Sequence, residues 1–145
     1  MHKIKLIPQK HPNGCPISVI AMLLNKPYDE IYETFYNENV GEEGLTLPQT
    51  MEYLGDAGMS LVHKYITHYA SIKFAREEML TPFAPAHIIR IIPYFGSEFG
   101  HLVVMDDKGK IFDPSNYGEE FIKNCYAIPE VVGVYGLDYF KDFKN

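Results

Sequence analysis

The chain has 145 residues, 46% of them hydrophobic, and a formal net charge of -6. That apolar supply suffices for one domain spanning residues 1–145. An acidic chain without a Lys/Arg cluster gains nothing from a phosphate backbone, so nucleic acid is not an expected partner; no run is long enough to cross a membrane, and the first residues lack a signal-peptide core, so a cytoplasmic setting is expected.

Met1 to Pro8 alternates weakly and reads as a short edge strand. Pro12-Asn13-Gly14 reads as a turn. Pro16 suits the first turn of a helix, Ile17, Ala21 and Leu24 share one face, and Asn25 ends it. A second helix is expected over PYDEIYETFY, with Asp29 and Glu30 in its first turn, where the helix dipole favours them. An acidic loop follows from Asn37 to Gly44. Thr46-Leu47-Pro48-Gln49 matches a capping box and starts a third helix that Gly58 can stop.

Ser60 to Ile66 suits a strand, and Ser71 to Leu80 a short helix with Phe74 and Glu78 helically spaced. From Pro85 the texture changes. AHIIRIIPYF, HLVVMD and KIFD read as strands, with Gly96 and Gly100 in one loop and Asp107-Lys108-Gly109 as a hairpin turn. A last strand is expected at Val131 to Tyr135. Helices first and a mostly antiparallel sheet afterwards make an α+β domain.

Four side chains carry candidate chemistry. Cys15 falls at a helix start, where orphan N–H groups favour a thiolate. A buried structural thiol, or a disulfide with Cys125, is the alternative. His101 begins HLVVMD, and an imidazole can accept and return a proton near neutral pH. His11 is the rival base; His2, His63, His68 and His87 read as surface or packing residues. A three-residue loop ending at Gly109 pairs Asp106 with Lys110 and Val103 with Asp113. Side chains alternate with period two, so Asp113 then shares a face with His101. Gln9, six residues before Cys15, offers an amide for an oxyanion. There is no C-x-x-C pair or other metal-ligand spacing, and no cofactor is expected. A nucleophile, a base, an orienting acid and an amide donor are the parts of an acyl-transfer site.

QKHPNGCPISVIAMLL and GHLVVMDDKGKIFDPS resemble the two motif regions of papain-like cysteine peptidases. The likeness is closest to the C39-like branch, which includes bacteriocin-processing peptidase domains. The resemblance implies a papain-like fold, N-terminal helices packed on a C-terminal sheet, with Cys15 as nucleophile, His101 as base, Asp113 as orienting acid and Gln9 as oxyanion donor. It implies a peptide or protein substrate. Family members often carry Gly after the cysteine; Pro16 stands there instead and removes one backbone N–H beside the nucleophile. The same residues also suit a deamidase, an acyltransferase or a non-catalytic binding module. Loops around Gly41 to Leu45, Tyr94 to Gly100 and Ser115 to Gly118 are expected to wall the pocket.

Overall fold

The computed structural model describes residues 1–35, 44–65, 72–97 and 100–136. Tyr36, the acidic loop 37–43, Ile66, His68 and Ser71 fall outside these residues, as do the side chains of 72–75. In chain order the elements are α1 (Cys15–Leu24), α2 (Tyr28–Thr34), α3 (Leu47–Asp56), β1 (Ser60–Tyr65), α4 (Ile72–Met79), β2 (Ala86–Ile92), β3 (His101–Asp106), β4 (Ile111–Phe112), α5 (Glu119–Lys123) and β5 (Ala127–Tyr135).

The strands form one sheet in the order β1-β5-β2-β3-β4. Every neighbouring pair is antiparallel. Helix α1 is the central rod: every residue from Pro16 to Leu23 is buried. It begins with a proline in its first turn, where no N–H is lost. It ends at Asn25 in the left-handed conformation (φ 55°), and Lys26 N–H donates to Ala21 O at 3.0 Å. The capping box of α3 is reciprocal: Gln49 N–H donates to Thr46 Oγ1 at 3.2 Å, and Thr46 N–H to Gln49 Oε1 at 2.8 Å.

Two cores flank the sheet. Ile88, Leu102, Val104, Val132 and Val134 face α1 through Ile17, Ile20 and Leu23. Ile89, Ile91, Val103, Met105 and Val131 face Met79 of α4 and Ile122 of α5. Burial on both faces explains why AHIIRII is nearly continuous apolar sequence rather than alternating. His87 is the polar exception. Its Nε2 accepts N–H bonds from Phe83 (2.9 Å) and Ala84 (3.0 Å), and its Nδ1 lies 3.2 Å from Met105 O. Burial lowers its pKa, so it stays neutral.

Three expectations need correction. Residues 1–8 form no strand, because no neighbouring chain pairs with them. The last strand starts at Ala127 rather than Val131. Pro129 is accommodated where the register between β2 and β5 shifts, a bulge that needs no N–H from it. Helix α5, only five residues long, is too short to show periodicity in the sequence.

Candidate active site

The site is assembled where the start of α1 meets the start of β3. The turn leading into α1 is closed by Gly14 N–H donating to His11 O at 3.0 Å. A side chain at Gly14 would collide with the Tyr28 hydroxyl, so any residue but glycine there forces a shift. Cys15 follows as the first helical residue, a half-buried free thiol. Its N–H belongs to the first turn and has no intrahelical acceptor. Pro16 supplies no N–H, so Cys15 and Ile17 are the first backbone donors of the helix.

Cys125 is also free, buried in the second core, with its thiol 3.6 Å from Ala127 O. The expected alternative of a Cys15–Cys125 disulfide is therefore not realised. Burial raises the pKa of Cys125 and keeps it protonated and inert.

His101 and Asp113 meet through the hairpin. Met105 pairs with Ile111 and Val104 with Phe112. Asp106 N–H donates to Lys110 O at 2.9 Å, and Gly109 adopts φ 87°. The three-residue loop thus sets the parity, and continuing the register places Asp113 opposite Val103. His101 Nε2 lies 2.6 Å from Asp113 Oδ1. Asp113 also accepts N–H bonds from Ser115 (2.9 Å) and Tyr117 (3.0 Å). The His101 side chain is 14% exposed and that of Asp113 only 5%. Burial alone pushes the Asp113 carboxyl up, but His101 and the two backbone donors outweigh it and hold it below the usual carboxylate value. Burial alone pushes His101 down. Hydrogen bonding to Asp113 and to Cys15, with the negative charge of both, raises it instead to about 9. Tyr117 stands edge-on to the ring at 6.1 Å between centroids and is 63% exposed.

The other candidates sort differently. His11, the rival base, has Nδ1 2.8 Å from the Tyr28 hydroxyl and stacks on Tyr32 at 4.1 Å. It supports the turn rather than the thiol. Gln9 does not hold its amide open for an oxyanion. Its Nε2 donates to His11 O (2.9 Å) and Pro12 O (3.0 Å), which uses both N–H groups inside the turn. Its Oε1 accepts from Ser115 Oγ at 2.9 Å, and its backbone N–H donates to Pro114 O at 3.1 Å. Gln9 thus ties the turn before Cys15 to the turn after Asp113. Ser115 is expected from sequence only as part of a pocket wall; its bond to Gln9 has no sequence signal, because the two residues are 106 positions apart.

Of the loops expected to wall the pocket, 115–118 brings Tyr117 to His101. Gly44 lies close enough to Asn13 that a Cβ there would meet its carbonyl at 2.9 Å. Among the described residues there is no cluster of metal-ligating side chains. Nor is any helix among them long and apolar enough to cross a membrane.

No family model and no curated protein matches the chain. Among solved structures it is similar to a double glycine motif protease from an AMS/PCAT transporter, determined in complex with the leader peptide. The two are 17% identical with a TM-score of 0.60, and the match covers 91% of each chain. At that identity the likeness establishes the fold alone: the α+β arrangement of helices packed on an antiparallel sheet that the chain shares with that protease.

Proposed function

We propose that the protein is a cysteine hydrolase cleaving a peptide or amide bond through Cys15, His101 and Asp113. One observation carries the reading. His101 is held at one ring nitrogen by Asp113 and is raised to about 9 by Asp113 and Cys15 together. A histidine that keeps its proton at neutral pH suits the imidazolium partner of a thiolate.

In this reading the Cys15 thiolate attacks the carbonyl carbon, and the π electrons move to oxygen. The tetrahedral intermediate collapses as His101 gives its proton to the leaving nitrogen. The C–N bond breaks and a thioester remains. His101, now neutral, takes a proton from water as that water attacks the thioester. The acid departs and Cys15 is restored as a thiolate beside the imidazolium. Asp113 fixes the ring tautomer and orientation throughout. The Cys15 N–H, in the first turn of α1 with no intrahelical acceptor, is a backbone donor for the developing oxyanion. The likeness to a protease determined with a leader peptide supports a peptide substrate.

A second reading rests on Gln9. With its amide engaged in the turn and no N–H at Pro16, the oxyanion site has fewer donors, which suits a module that binds without turnover. A quenched-fluorescent peptide library separates the two. Wild type should hydrolyse a subset of the library, and Cys15→Ala should lower kcat/KM by about 10³-fold or more. No turnover by wild type, with peptides still bound, would leave the binding module.

A further inference from the structure

The first residues of the chain and the edge of the sheet enclose a second feature, apart from the thiol. A cavity of about 490 Å³ lies between residues 3–6 and β4, closed at one end by the turn at 113–118. Neither Cys15 nor His101 lines it; Asp113 does at one end, with its carboxylate already bonded to His101 and to the N–H groups of Ser115 and Tyr117. Its apolar lining comes from Ile4, Ile111 and Phe112, and its rim from the exposed Lys3, Lys5 and Lys110. Lys110 is distant in sequence from Lys3 and Lys5, and only the fold gathers the three. Among the described residues none has a carboxylate partner; the Lys110 ammonium sits 5.1 Å from the centroid of the Phe112 ring. A local positive rim on a chain of net charge -6 favours anionic groups such as carboxylates.

The backbone of β4 adds a second argument. Asp106 N–H donates to Lys110 O, so that facing pair is hydrogen-bonded. Antiparallel ladders alternate, so the next pair, Met105 with Ile111, is not. The N–H and C=O of Ile111 therefore point away from β3, toward the cavity. Among the described residues they have no partner, and neither do the backbone groups of 3–6. An extended chain entering here finds backbone donors and acceptors at the sheet edge and ammonium groups above them.

We propose that this groove binds an extended acidic peptide segment, which adds to β4 as a further strand and sets its carboxylates against Lys3, Lys5 and Lys110. The test uses full-length Cys15→Ala protein, so that it does not depend on the hydrolase reading. The probe is a fluorescein-labelled peptide of about eight alternating Glu and Val residues, followed by anisotropy. Saturable binding is expected. It should weaken at least about tenfold for Lys3→Glu/Lys110→Glu, and similarly for a peptide N-methylated at alternate residues. Should the charge reversal fail to fold, Lys3→Gln/Lys110→Gln serves, with a smaller loss expected. No saturable binding, or binding unchanged by the lysine variants, would overturn the proposal. Equal binding of the N-methylated peptide, or displacement by millimolar inorganic phosphate, would overturn strand addition and leave a simple anion site.

Discussion

His101 has a charged or polar partner on each side of its ring, and the sign of its pH dependence follows. Its folded pKa of about 9 exceeds the ordinary 6.5, so the folded state holds the proton more tightly than the unfolded chain. That stabilisation is fully present below pH 6.5 and is lost as pH rises through about 9. Asp113 works at the other end: its depressed pKa stabilises the fold above the ordinary 3.8, and this is lost as pH falls through the folded value. His87 opposes His101, since its lowered pKa favours the fold above 6.5 and that contribution fades on acidification. Urea midpoints of wild type should therefore decline from pH 6.5 to 9, and His101→Gln should flatten the decline; an equal slope in both would remove His101 as the cause. Gln9 makes a separate prediction. If it braces the two turns, Gln9→Ala and Ser115→Ala report on one shared contact. A double-mutant cycle in urea should then show a coupling of about 0.5 kcal/mol or more. Additive effects would contradict the brace and return Gln9 to an independent role.

At the level of elements, the turn that delivers Cys15 is shaped by what lies over it. The Tyr28 hydroxyl of α2 occupies the space of a Gly14 side chain. Gly14→Ala should destabilise the protein by about 1–3 kcal/mol, and Tyr28→Phe in the same chain should recover part of that loss, as read from thermal or urea melts. Equal loss in both backgrounds would place the cause elsewhere. The sequence alone makes the start and stop of α1 legible, because Pro16 and Asn25 act locally. It likewise shows the capping box of α3 and the hairpin between β3 and β4, whose three-residue loop sets the His101–Asp113 parity. It does not show that residues 1–8 lack a partner strand, since alternation reports one chain and pairing needs two. Nor does it show that Pro129 sits at a bulge, because that depends on the register with β2.

Across the whole molecule, the helical half supplies Cys15 and the sheet supplies His101 and Asp113. The sheet sits between two cores, one under α1 and one under α4 and α5. Local motifs single out the candidate residues, and the order of helices before strands makes the fold class legible. The engagement of Gln9 with Ser115 and the gathering of Lys3, Lys5 and Lys110 are not legible, because each joins the two ends of the chain. One coupling joins the halves: Cys15 and Asp113 act on the same imidazole. The most direct measurement is an NMR titration of the His101 ring in wild type, Cys15→Ala and Asp113→Asn. Titration is expected at about 9 in wild type, falling toward 6.5 in each variant. A wild-type His101 that titrates near 6.5 and is indifferent to Cys15→Ala would contradict that coupling.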